Sequence, residues 1–321
     1  MNLAVIGTGW IVEKFIDAAR QCEGITITAV YSRTAARAAQ FAEAQDIPHT
    51  FTDLTALAES AEIDAVYVAS PNICHFEQSL LLLKNGKHVF CEKPATTCAK
   101  QLTQLLQTAK EQGVVFLEAS KHLFSPGIGV IRTLLPEIGP IRRVSLGFQQ
   151  YSSRYDDFKA GKNIHNVFRP AFAGGALMDL GVYCVQMMVA LFGAPADIVS
   201  SSIRLHTGVD GQGAAIARYD GFLVELSYSK VSGAAVPNEI QGEEGSLVFA
   251  HLSRMEEVEL VLRKGETRLV SCNSAENQMV YEAQAFYDIV KNLQTAAPYN
   301  EYSLLSQQVI DEINRQQGGC V

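Results

Sequence analysis

The run Leu3-Ala4-Val5-Ile6-Gly7-Thr8-Gly9-Trp10-Ile11-Val12 decides the fold. Leu3 to Ile6 read as a strand buried on both faces, and Ile11 to Gln21 follow with helical spacing. Two glycines between a strand and a helix suit a dinucleotide. The first permits the tight turn. The second lets a pyrophosphate approach the backbone at a helix amino terminus, where free N–H groups and the helix dipole favour anions. The third position of the G-x-G-x-x-G pattern is Val12 rather than glycine or alanine, a departure that implies looser strand–helix packing.

Outward from that turn the alternation continues. Strands are expected at Ile25–Tyr31, Ala65–Ala69, His88–Cys91 and Val114–Leu117, with helices over 34–45, 53–60, 73–85 and 97–112 between them. Such near-continuous apolar strands, separated by helices, predict an α/β architecture: a doubly wound parallel sheet covered on both faces. The pattern changes near Pro126. Eight segments between Arg142 and Val270 read as strands joined by short turns, and two helices interrupt the region, Gly175–Phe192 and Gln278–Gln294. The expected layout is a dinucleotide-binding domain over 1–120 and an α+β domain over 121–321 with a large, mostly antiparallel open sheet. The tail from Gln316 to Val321 is expected to fray.

Composition narrows the function. Apolar residues form 48% of the 321 and charged residues 19%, which excludes a disordered chain. With 26 basic and 34 acidic residues the net charge is -8, which disfavours nucleic acid as the main partner. No apolar run approaches a membrane span, and Met1 to Val12 lack the basic start and cleavage site of a secretory signal, so no membrane role is expected. The cysteines Cys22, Cys74, Cys91, Cys98, Cys184, Cys272 and Cys320 are scattered without a C-x-x-C pair, consistent with reduced thiols in a cytoplasmic protein. His122, His165 and His206 share no metal-ligand spacing, so no metal is expected.

The end of the second strand bears on the cofactor. A site for NAD usually places a carboxylate there to bind the ribose 2′-hydroxyl. This chain has Tyr31-Ser32-Arg33-Thr34, and no acid follows until Glu43. Ser32 can donate to a 2′-phosphate, Arg33 can pair with it, and Arg37 adds charge one helical turn on. NADP(H) is therefore preferred over NAD(H); solvated surface arginines are the competing reading.

Two further segments follow strands and so fall at the carboxyl ends where open α/β sheets bind ligands: Ser70-Pro71-Asn72-Ile73-Cys74-His75 and Cys91-Glu92-Lys93-Pro94. With Gly7-x-Gly9 ahead of them, the order resembles the glucose-fructose oxidoreductase / inositol dehydrogenase / rhizopine catabolism family. Gly174-Gly175-Ala176-Leu177-Met178-Asp179-Leu180-Gly181-Val182-Tyr183 is similar to that family's second-domain signature, and Phe168-Arg169 to its Phe/Trp-Arg pair. Tyr183 stands where many members carry histidine. That resembles the NADP-using dihydrodiol dehydrogenase and D-xylose 1-dehydrogenase branch, as does His206-Thr207-Gly208-Val209-Asp210.

The resemblance implies a Rossmann domain and a dehydrogenase acting on a secondary hydroxyl of a sugar, polyol or trans-diol. It implies that Lys93 hydrogen-bonds the reacting oxygen, Tyr183 exchanges the proton, and Asp179, four residues earlier, orients the substrate or holds Lys93. The cofactor would meet Gly7, Thr8, Gly9, Trp10, Ile11, Ser32, Arg33, Arg37, Ser70, Pro71, Asn72, Glu92, Lys93 and Arg169. His75 flanks the cofactor or is a buried histidine at a helix start. A homodimer or homotetramer is expected. A redox glycosidase using bound NAD and a cofactor-sensing regulator are the alternatives.

Overall fold

The computed structural model describes residues 1–162 and 164–318, so Cys320 and the last part of the expected frayed tail lie outside the described residues. The chain divides into two units, one formed by 1–121 with 275–304, the other by 122–274 with the residues from 305 onward. The segment 275–304, assigned by the sequence reading to the second domain, thus belongs with the first.

The first unit alternates as its apolar runs dictate: β1 (Asn2–Ile6), α1 (Trp10–Ala19), β2 (Thr26–Tyr31), α2 (Ala35–Ala44), β3 (His49–Phe51), α3 (Leu54–Glu59), β4 (Ala65–Val68), α4 (Asn72–Lys84), β5 (His88–Glu92), α5 (Ala99–Gln112) and β6 (Phe116–Ala119). The six strands lie in the order β3-β2-β1-β4-β5-β6, every pair parallel. The order reverses between β1 and β4, so the ligand crevice of such a sheet opens at their carboxyl ends. On one face Ile6, Val68 and Cys91 pack with Leu83 of α4 and Leu105 of α5. On the other, Phe15 stacks on Tyr67 at 3.7 Å and Phe90 on Phe286 at 4.9 Å. Phe286 belongs to a later helix of the same unit, which also packs against α1. The short strand β3 was not anticipated; its three residues offer no period to read.

The second region continues with α6 (Lys121–Phe124), α7 (Pro126–Leu134), β7 (Ile141–Gln149), α8 (Tyr155–Lys159), a π-helical turn over Leu177–Gly181, α9 (Val182–Phe192), β8 (Asp197–Arg204), β9 (Asp210–Tyr219), β10 (Phe222–Ser229), β11 (Asn238–Gly242), β12 (Gly245–Phe249), β13 (Glu257–Leu262) and β14 (Thr267–Ser271). Then come α10 (Met279–Lys291), which carries Phe286, and α11 (Ala297–Gln316). Eight strands form one sheet, β14-β13-β12-β11-β7-β10-β9-β8, antiparallel throughout except for the parallel pair β7/β10.

Strand alternation sorts the sheet's residues. Val144, Leu146, Ala217, Val224, Leu226 and Ile240 are buried on one face, where α9 packs. The cross-strand register carries Val199 to Ile216 to Glu225 along the opposite face, which is solvent-exposed in part.

Three expectations are corrected. The helices α7 and α11 were not foreseen. Gln316 and Gln317 do not fray: Gln316 donates to the Ile198 carbonyl at 2.7 Å, and Gln317 donates to the Tyr228 hydroxyl at 2.9 Å. The stretch Pro170–Phe192 does reach the length and hydropathy of a membrane span, with a mean hydropathy of 1.6 in its best window, but 78% of that window is buried in the protein. Its apolarity is that of a core helix.

Candidate active site

The glycine turn forms as its sequence requires. Gly7 has φ +117°, and a Cβ there would stand 2.7 Å from the Ala69 carbonyl oxygen, at the end of the neighbouring strand β4. Only glycine fits that backbone. A Cβ at Gly9 would meet nothing within 4 Å, which leaves open space beside the first turn of α1. Val12 is fully buried against the turn, so the larger residue fills the strand–helix contact and does not loosen it. Ile11 is half-buried, and Trp10 is 63% exposed beside the turn.

At the end of β2, Thr34 caps α2, its side chain accepting the Arg37 N–H. This sends Arg37 back across the sheet edge. Its Nε donates to the Thr8 hydroxyl and its Nη2 to the Thr8 carbonyl, both at 3.0 Å. Ser32 is half-buried, Arg33 exposed. The strand end is thus cationic and tied to the glycine turn.

The next two loops are tied to each other. Ser70 donates to Gln78 at 2.7 Å, with Pro71 exposed and Asn72 opening α4. His75, 1% exposed, places Nε2 2.7 Å from the Ser70 carbonyl and Nδ1 2.9 Å from the Pro94 carbonyl. Burial pushes its pKa below the usual histidine range. His75 is therefore a buried clamp between the two loops. Beyond it, Lys93–Pro94 is a cis peptide. The Lys93 N–H donates to Glu92 Oε2 at 3.2 Å, the Tyr67 hydroxyl donates to Glu92 Oε1, and the Ala95 N–H donates to the buried Glu118 at 2.8 Å. Lys93 is half-buried on this pinned loop.

In the second unit, Tyr183 opens α9. Its ring lies 4.9 Å from that of His122 and 5.2 Å, edge-on, from that of Phe148. Asp179 sits in the π-helical turn just before it, a geometry common at functional sites. Its Oδ2 accepts from Lys230 Nζ, and Lys230 is only 7% exposed. Asp210 anchors this turn: its Oδ2 accepts the Leu177 N–H at 2.7 Å. Gly175 has φ +128°, and a Cβ there would strike Asp210 Oδ1 at 2.0 Å. The signature glycine and Asp210 are therefore one device. Arg169 is exposed just after a 3-10 turn whose Phe168 is fully buried.

Sequence reasoning missed Lys230 and the contact of His122 with Tyr183. A lysine at a strand end carries no motif; its burial was the missing signal. Among the described residues no group of three or more His, Cys, Asp or Glu is placed to hold a metal ion, and the six described cysteines carry free thiols.

The first unit matches the oxidoreductase family model with an NAD-binding Rossmann fold over residues 1–120, and the second matches the corresponding carboxy-terminal domain model over 136–248. The chain is 41% identical over 320 residues to scyllo-inositol 2-dehydrogenase (NADP(+)) of Bacillus subtilis, covering 99% of this chain and 97% of that protein. The chain belongs to the GFO/IDH/MocA oxidoreductase family.

Another GFO/IDH/MocA relative is trans-1,2-dihydrobenzene-1,2-diol dehydrogenase of Danio rerio, 31% identical with 78% of this chain and 75% of that one covered. Among solved structures, a 3-ketoreductase from Actinomadura kijaniata in complex with NADP and TDP-benzene superposes with a TM-score of 0.88, over 99% of this chain and 98% of that one. At 24% identity that likeness speaks for the fold alone. The parallel six-stranded sheet followed by a mostly antiparallel eight-stranded sheet is the family's architecture. The protein is an NAD(P)-dependent oxidoreductase acting on CH–OH groups.

Proposed function

We propose that this protein is an NADP(H)-dependent dehydrogenase that interconverts a secondary hydroxyl and a carbonyl on a sugar, polyol or trans-diol. The observation that carries the cofactor preference is the Arg37–Thr8 contact, a cation fastened over the glycine turn at a strand end with no carboxylate. A 2′-phosphate gains from that charge, whereas a 2′-hydroxyl gains little. The open space at Gly9 and the start of α1 fit a pyrophosphate. Gly7, Thr8, Gly9, Trp10 and Ile11 would hold it, with Ser32, Arg33 and Arg37 on the 2′-phosphate. Ser70, Pro71, Asn72, Glu92, Lys93 and Arg169 would contact the rest of the cofactor. When bound, the nicotinamide supplies the hydride chemistry.

The remaining work falls to the protein's own side chains. Lys93, held on a loop pinned by His75, Glu92 and Glu118, donates a hydrogen bond to the reacting oxygen. Tyr183 exchanges the proton. A free phenol titrates near ~10, so a cation beside the reacting oxygen is needed to make that exchange easy near neutrality. Asp179 orients the substrate while Lys230 fixes its carboxylate. The substrate class is supported by the polyol and diol dehydrogenases among the relatives.

A homodimer through the open face of the eight-stranded sheet is part of this reading. Val199, Ile216, Leu223 and Leu269 are exposed there around the Arg143–Glu225 ion pair, an apolar face with a polar centre.

The test is a turnover screen of inositols, aldoses and trans-diols with NADP and with NAD. Oxidation of at least one polyol or diol, with kcat/KM higher for NADP, is expected. No turnover with any of them, or a clear preference for NAD, contradicts the proposal.

A further inference from the structure

The helix α10 brings a second carboxyl group to the loop that carries Lys93. Phe90 and Glu92 share one face of β5, being two residues apart in a strand. Glu282 and Phe286 share one face of α10, being four apart in a helix. Phe90 stacks on Phe286 with the rings 16° from parallel, which lays the two faces together and sets Glu282 alongside Glu92.

The two carboxyls have unequal surroundings. Glu282 is 1% exposed, and its Oε2 is wholly buried with no hydrogen-bond partner among the described residues. Glu92 is less buried and accepts from both the Tyr67 hydroxyl and the Lys93 N–H. A bare carboxylate without donors is costly to bury, and two neighbouring carboxylates resist ionising together. The charge therefore settles on Glu92 and the proton on Glu282.

We propose that Glu282 is a positioning residue for the reaction: a neutral carboxylic acid that pairs with Glu92 and keeps a single negative charge behind Lys93. The proposal rests on the reading of Lys93 as the group at the reacting oxygen. The titratable groups facing the pair are Tyr67 from β4, Lys93 after β5 and Lys121 at the start of α6. On the packed α1 side, Glu13, Lys14 and Asp17 are exposed, and the Cys22 thiol meets the Val280 carbonyl. Burial and then the Glu92 charge hold the Glu282 carboxyl well above the usual carboxylate range, against the pull of Lys121. If the pH rises far enough to ionise Glu282, a second negative charge stands behind Lys93.

The test compares the wild type with Glu282→Gln, the shape of a neutral acid. Infrared spectra of the cofactor-free wild type at neutral pH are expected to show the C=O stretch of a protonated buried carboxyl, lost in Glu282→Gln. In the holoenzyme, Glu282→Gln is expected to keep kcat/KM within about threefold at neutral pH, while its alkaline limb moves to lower pH by about one unit. If Glu282→Gln does not fold, Glu282→Met serves for both readouts. No protonated-carboxyl band in the wild type, a band that persists in the variant, or superimposable pH profiles would overturn the proposal. So would a variant that folds and binds NADP but has lost turnover at neutral pH. Lys93→Ala, measured alongside, is expected to lose turnover; if it does not, the reading of Lys93 fails, and the infrared band still decides whether Glu282 is a neutral acid.

Discussion

Arg37 holds Thr8 at two points, the hydroxyl through Nε and the carbonyl through Nη2, so the cation that follows β2 and the turn that follows β1 are one piece of structure. Removing it with Arg37→Ala is expected to raise the KM for NADP roughly 10- to 100-fold, since a charge-assisted contact contributes about 1.5–3 kcal/mol. The KM for NAD should change by much less. Equal losses with both cofactors would mean that Arg37 supports the turn without reading the phosphate.

Gly7→Ala meets two obstacles together, a positive φ and the Ala69 carbonyl 2.7 Å from the new methyl. The turn has to move by several tenths of an ångström. The expected outcome is a loss of cofactor binding, read by fluorescence titration, together with about 1–3 kcal/mol of stability in a denaturant melt. Gly9→Ala has open space around it and should spare stability while still weakening cofactor binding.

The Asp179–Lys230 pair predicts a different signature. Lys230 is nearly buried, whereas about a third of the Asp179 side chain is exposed. Lys230→Met keeps the apolar stem and deletes the charge, leaving Asp179 partly compensated by solvent. A loss of about 1–3 kcal/mol is expected, below the range for a fully buried pair, and kcat should fall as Asp179 loses its fixed orientation ahead of Tyr183. Unchanged stability and kcat would remove the pair from the account.

His75 predicts an acid-sensitive fold. Burial lowers its pKa in the folded chain, so between that value and the unfolded value near ~6.5 the unfolded chain binds a proton that the folded chain refuses. Its contribution is complete above the unfolded pKa and declines as pH falls below it, by up to about 1.4 kcal/mol per pH unit. His75→Asn should show a lower melting midpoint near neutrality and a flatter slope on acidification. An acid slope identical to that of the wild type would assign the effect to other groups.

Much of this was legible in the sequence because it depends on local chemistry. The glycine turn needs a particular φ and a missing Cβ, which name Gly7 directly. Parallel strands buried on both faces leave runs such as Ala65-Val66-Tyr67-Val68, which only a covered sheet explains. The Ser32-Arg33 end of β2 announced its charge without any knowledge of what Arg37 touches. The misses are residues whose role comes from distant partners. α10 reads as one more helix of the second half, and nothing local says that Phe286 stacks on Phe90. Glu282 looks like an ordinary helical glutamate until its burial is known. Lys230 ends a strand, as surface lysines do, and only its contact with Asp179 distinguishes it. The helix α11 carries Pro298 and Tyr299 in its first turn and a weak apolar stripe, so its period is hard to see.

The central proposal is that Lys93 and Tyr183 each serve the proton transfer. The most direct measurement is turnover of Lys93→Ala and Tyr183→Phe on the best polyol or diol, with NADP binding measured on the same preparations. The account predicts that each variant loses roughly 100- to 10,000-fold in kcat while binding NADP within a few-fold of the wild type. Turnover at near wild-type rates in either variant, with the cofactor bound, would contradict it.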